Sequence, residues 1–190
     1  MAQVGEAQRI DHQSGWFERS LRSDPATGLA SRAVFDAVLE AECANDTDPV
    51  AVLILHVSGA ATIRSRYGAE EADRLLNRAA AVVRAVSRNW DLAARFDDDD
   101  LAVVFPGFEL EDALRVGRRI AHETERRNGL YVRGDPPLFF AFGAASGVGH
   151  SAKELTEAAD PRRANIVPEM SASQPMDGAD EDEGEGPSVA

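Results

Sequence analysis

The strongest signal along the chain is VAVLILHV at residues 50–57, where the histidine is the single polar position. Rich in β-branched residues and lacking polar alternation, this run predicts a central strand covered on both faces. Upstream, Ser31 precedes a segment to about residue 44 in which Val34, Phe35, Val38 and Leu39 recur at helical spacing. That pattern predicts a serine-capped helix. Downstream, residues 59–67 and 70–86 predict two consecutive helices. The second has an inner stripe of Leu75, Leu76, Ala79, Ala80, Val83 and Val86. Two apolar runs, LAARF at 92–96 and LAVVF at 101–105, flank four consecutive aspartates. Spacing that close predicts a β-hairpin. Residues 111–127 predict a helix with a basic C-terminal half. LFFAFGAASG at 138–147 predicts another buried strand, and residues 152–159 a short helix.

The element order predicts an α/β (α+β) sandwich: a central, mostly antiparallel sheet flanked by helices. Three segments follow from the pattern. Residues 1–22 carry Ile10, Trp16, Phe17 and Leu21 among charges, predicting a short amphipathic helix after a flexible start. Residues 23–167 form the folded domain. Residues 168–190 change to Pro, Ser, Gly, Asp and Glu, a composition too poor in apolar groups to offset chain entropy, and are expected to be a disordered acidic tail.

Composition then narrows the function. The formal net charge is −13; the tail supplies seven acidic residues and no Lys or Arg, leaving −6 on residues 1–167. Such a balance argues against general nucleic-acid binding. The one cysteine, Cys43, excludes an intramolecular disulfide and a multi-cysteine metal site. No apolar run approaches the roughly 20 residues that span a bilayer, so no membrane contact is expected. The polar start lacks a signal-peptide core, giving a cytoplasmic expectation.

Three collinear segments resemble one family. DPATGLASR at 24–32 is similar to DxLTGLxNR. LHVSGAATIRSRYGAEEADRLL at 55–76 is similar, without gaps, to LDIDxFKxINDxYGHxxGDxLL. RNWDLAARFDDDDLAVVF at 88–105 is similar, again without gaps, to RxxDxxxRxGGDEFxxxx. These resemble the GGDEF (diguanylate cyclase) family, over roughly residues 20–167. The resemblance implies a nucleotide-cyclase-like fold. It also implies that active relatives condense two GTP molecules into cyclic di-GMP across a pair of monomers.

The family's catalytic positions are altered here. One metal-binding carboxylate position holds His56, expected to be a strand-end residue with no ligand role; the other retains a carboxylate, Asp99. Asp97 and Asp98 replace the two glycines that admit GTP to the backbone, placing carboxylates where a polyanion would lie. Asp100 and Leu101 stand at the family's Glu and Phe. Ala61 replaces the phosphate-binding Lys and Arg64 the guanine-reading Asn, while Asp73 keeps the other guanine contact. A degenerate site without catalytic residues, metal or cofactor is therefore expected. Residues 97–100 are expected to form a solvated acidic turn rather than a calcium loop, because the alternating ligands and central glycine of an EF-hand are missing.

A second family feature is retained. Arg88 and Asp91 match the RxxD motif that often forms an inhibitory cyclic di-GMP site, at the expected five-residue distance from the signature. Arg can fork onto a guanine edge or a phosphate, and Asp can accept from guanine N–H groups. Arg119 falls where relatives often supply a further arginine, with Arg115 and Arg118 beside it. Without ligand, the same residues read as a surface ion pair and a solvated helix face. Trp90, inside the motif, is expected in the core or partly covered; stacking on a purine is the other reading. The resemblance thus points to an inactive GGDEF protein acting as a cyclic di-GMP receptor, with a protein partner and a homodimer as further expectations. The alternatives are a ligand-independent protein–protein interaction module and an active diguanylate cyclase.

Overall fold

The computed structural model describes residues 22–45, 47–130 and 136–163. The expected N-terminal helix and acidic tail lie outside the described residues.

Helix α1 spans Arg32–Cys43, and the Ser31 side chain accepts from the Val34 amide as its N-cap. Strand β1 is Val50–Val57. Helices α2, Ala60–Tyr67, and α3, Ala69–Val86, follow it. They part at Gly68, whose φ of 94° ends one helix and starts the next at an angle most side chains avoid. Strands β2, Leu92–Arg95, and β3, Asp100–Pro106, form the expected hairpin. Helix α4 is Leu110–Asn128, β4 is Phe140–Gly147 and α5 is Ala152–Ala159.

The four strands lie in the order β2-β3-β1-β4, and every ladder is antiparallel. The sheet expected from the sequence is therefore the sheet observed. β1 is central because it is apolar on both faces. Its alternate residues feed two cores. Leu53, Leu55 and Val57 pack with Leu76 and Val83 of α3 and Ile120 of α4. Val52 and Ile54 face the other way, onto Phe35 and Leu39 of α1 and Leu155 of α5. A side chain such as Leu53 or Ile54, at most 1% exposed, contributes about 1.5–3 kcal/mol by burial.

β4 starts two residues later than its apolar pattern suggests. Leu138 is held outside the ladder because Asn128, ending α4, bonds both its amide and its carbonyl. Two glycines let helices lie close on β4. A Cβ on Gly117 of α4 would stand 2.5 Å from the Phe142 ring, and one on Gly143 would stand 2.5 Å from the Ala159 carbonyl.

Candidate functional site

The strand ends carry the positions that the sequence resemblance led us to expect as altered catalytic ones. Pairing of β1 with β3 sets His56 directly across from Asp100. Their side chains join, with Asp100 Oδ1 2.8 Å from His56 Nδ1. An ionised carboxylate requires Nδ1 to be the protonated ring nitrogen. Arg162, just beyond α5, brings Nη2 to 3.2 Å from the other carboxylate oxygen. Asp100 is only 2% exposed, so these two partners supply the hydrogen bond and the opposite charge that a buried carboxylate needs. The expectation that residues 97–100 are one solvated turn is corrected here. Asp97 and Asp98 are exposed, but Asp100 opens β3 and points inward. His56, one residue before the end of β1, directs Nδ1 at this carboxylate.

Asp99 is held by a second cation. Arg64 of α2 lies 2.7 Å from Asp99 Oδ1 and donates to the Asp98 carbonyl at 2.9 Å. The hydrogen bond and charge of Asp99 hold the Arg64 guanidinium even more firmly protonated than usual. Arg95 closes the turn from below. Its Nε donates to the Asp97 carbonyl at 3.0 Å and its Nη2 to the Asp98 carbonyl at 2.7 Å. Asp24 and Asp73 stand 3.6 and 3.8 Å from its Nη1. Asp73 therefore faces the hairpin through an arginine. Ala61 adds no charge to this end of α2. Among the described residues, no three His, Cys, Asp or Glu side chains converge in a metal-holding arrangement.

The segment at 24–29 is locked onto the same end. Asp24 Oδ1 accepts from the amide and hydroxyl of Thr27 at 2.8 and 2.6 Å. Arg84 and Asn77 of α3 donate to the Thr27 and Ala26 carbonyls. Ala30 then bridges to Ala94 of β2, carrying this turn alongside the sheet.

Arg88, Trp90 and Asp91 lie in the connection from α3 to β2, on another part of the molecule. The Asp91 amide donates to the Arg88 carbonyl at 3.2 Å, and the Arg88 amide donates to Asp91 Oδ2 at 2.7 Å. The residues thus close a turn through the backbone, and the side-chain ion pair weighed from the sequence is not formed. The Arg88 guanidinium instead lies over the Phe108 ring, 4.9 Å from its centroid. Phe108 is in turn stacked on Phe105. Trp90 is 73% exposed, which corrects the expectation of a core or partly covered residue.

Arg119 lies on α4, beside a cleft of about 470 Å³ between the last turn of α3 and α4; Ala85, Val86 and His122 also line it. Arg115 and Arg118 are tied to Asp112 and Glu111 of their own helix. Arg119 has no ion-pair partner among the described residues. Sequence reasoning missed three residues: Arg95, Phe108 and Arg162. Arg95 was visible as the arginine two residues before the aspartates. Arg162 carried no signal, since it lies 62 positions from Asp100.

No described helix is long and apolar enough to cross a membrane. Comparison with known proteins places this geometry in a family. The model of the family described as "Diguanylate cyclase, GGDEF domain" matches residues 21–165. The uncharacterized protein YhcK of Bacillus subtilis is 31% identical over 136 residues, covering 66% of this chain and 38% of that protein. The response regulator PleD of Caulobacter vibrioides is 27% identical over 117 residues, covering 60% of this chain and 24% of PleD. The chain thus spans about a quarter to two-fifths of the length of these relatives. The coiled coil and GGDEF domain of DgcB from Caulobacter crescentus, crystallised in complex with c-di-GMP, superposes with a TM-score of 0.72. It is 22% identical, with 83% of this chain and 86% of that one covered. The hairpin, the strand order and the matched span agree: the chain belongs to the GGDEF domain family.

Proposed function

We propose that this domain is catalytically inactive and serves as a cyclic di-GMP receptor, binding through Arg88 and Asp91 with Arg119 assisting. The observation that carries the reading is a contrast between two ends of the molecule. At the end that carries the signature turn, charged groups pair with one another: Arg64 with Asp99, and His56 and Arg162 with Asp100. At the RxxD turn the Arg88 backbone is held by Asp91, and one Asp91 oxygen and the Arg88 N–H edge have no ion-pair partner among the described residues.

Phosphoryl transfer on GTP needs divalent metal to neutralise phosphate charge and align attack. The donor set here does not fit magnesium. It offers one imidazole already committed to Asp100 and one carboxylate already paired with Arg64. Magnesium prefers oxygen ligands in octahedral geometry. The exposed carboxylates of Asp97 and Asp98 add repulsion toward a triphosphate.

The RxxD turn has the opposite character. Asp91 uses one carboxylate oxygen on the Arg88 amide, leaving the other to accept from guanine N–H groups. The Arg88 guanidinium is engaged by a ring face, which leaves its N–H edge for a phosphate or guanine oxygen. DgcB, of the same fold, is known in complex with c-di-GMP, which supports the choice of ligand.

Isothermal titration calorimetry with cyclic di-GMP tests the reading. Micromolar binding is expected, abolished by Arg88→Ala at unchanged melting temperature. Binding that survives Arg88→Ala refutes the site. GTP turnover with magnesium or manganese, lost in Asp99→Ala, refutes the inactivity.

A further inference from the structure

Trp90 is hard to explain by folding alone. An indole buries a large apolar surface when it can, and tryptophan is enriched at interfaces. Here the ring is 73% exposed. It makes no ring-stacking or cation–π contact with any described residue. Its backbone is nevertheless fixed. Arg88 and Asp91 are joined by two hydrogen bonds, of 3.2 and 2.7 Å, that close the turn beneath it. The side chain therefore stands on a rigid platform rather than a loose loop, so little ordering entropy opposes contact with a ligand.

The surroundings define what that contact is. The same turn carries a guanidinium held over Phe108 and a carboxylate with one oxygen on the Arg88 amide. Two residues before Arg88, Val86 floors the cleft that also holds Arg119 and His122. A flat π surface, a forked cation and an acceptor on one turn match a purine nucleotide: ring, phosphate, and N–H edge. An apolar protein surface would leave the charged neighbours of the ring unmatched.

We propose that Trp90 is an affinity-determining residue that stacks on a guanine base of the bound dinucleotide. This rests on the receptor reading above and adds to it a contact that Arg88 and Asp91 do not supply. Stacking against an aromatic ring tolerates any base, so guanine preference comes from Asp91 while Trp90 sets affinity.

The test uses the full chain. Trp16→Phe leaves Trp90 as the single tryptophan, and its emission is followed during titration with cyclic di-GMP. Calorimetry is run in parallel on wild type, Trp90→Ala and Trp90→Phe. The expected result is quenching that saturates with the calorimetric isotherm. Affinity should fall about tenfold or more in Trp90→Ala and be largely restored in Trp90→Phe. Wild-type affinity retained in Trp90→Ala, with emission unchanged, overturns the stacking role and leaves the receptor reading standing. Absence of any binding by wild type overturns both.

Discussion

Replacing Arg64 with alanine removes the cation that holds the signature turn. The guanidinium makes two contacts, 2.7 Å to Asp99 and 2.9 Å to the Asp98 carbonyl. The side chains of Arg64 and Asp99 are 31% and 15% exposed, so the pair lies between two regimes. Exposed pairs are worth about 0–1 kcal/mol, whereas removing one member of a buried pair costs about 3–5 kcal/mol. The carbonyl bond adds roughly 1 kcal/mol. After discounting for solvent screening, the expected loss is about 2 kcal/mol, or a fall in Tm of about 4–8 °C for a domain of this size. Part of the loss is repulsion among the aspartates left behind, so raising NaCl to about 0.5 M should narrow the gap. Arg64→Lys keeps the charge without the fork and should fall between the two. Differential scanning calorimetry at low and high salt reads all three proteins. An Arg64→Ala variant that melts within about 1 °C of wild type at low salt refutes the reasoning. Arg66→Ala, exposed on the same helix, is the control and should change stability by no more than about 0.5 kcal/mol.

Asp100→Ala strips the buried partner from both His56 and Arg162; urea denaturation should show a loss of about 2–4 kcal/mol, and an unchanged midpoint would contradict the pairing. Gly143→Ala drives a methyl group against the Ala159 carbonyl, and since backbone must move, a loss of about 1–3 kcal/mol is expected in the same assay. Arg126 and Arg127 lower the Glu123 pKa to about 2 from an ordinary 4.5. A depressed carboxylate stabilises the fold above its unfolded pKa and loses that contribution as pH falls through the folded value. Glu123→Gln should therefore melt lower than wild type at pH 7, with the difference closing between pH about 4.5 and 2; a pH-independent difference would show that the ion pairs are not its source.

Most of the fold was legible in local pattern. The serine cap at residue 31, the two-faced apolar run of β1 and the hairpin spacing are short-range signals, and each produced the element expected. The site was legible only in part. Reading the four aspartates as one charge run treated them alike, yet the strand begins at the fourth, and strand geometry alternates side-chain direction. Cross-strand register, not composition, buries Asp100 opposite His56. Arg162 is brought to Asp100 by the placement of α5 on the sheet, which no window of sequence encodes. Trp90 was misjudged because an apolar side chain was assigned by hydrophobicity, whereas a turn with its own hydrogen bonds can hold an indole in solvent.

The placement of β1 at the centre of the sheet also dictates the order in which the chain is completed. Its ladder with β3 reaches from Val50 to Pro106, but its ladder with β4 reaches from Val50 to Gly147. During synthesis β1, β2 and β3 are available first. One edge of the most apolar strand then stays unpaired until residues 140–147 emerge, several seconds later at about 5–20 residues per second. An open, hydrophobic edge of this kind is a template for pairing with another chain. The vulnerable species is therefore a nascent three-stranded intermediate, and slowed translation between residues 106 and 140 should raise aggregation without altering the finished domain. The distance between partners that makes β1 the most protected strand of the native protein makes it the most exposed one on the ribosome.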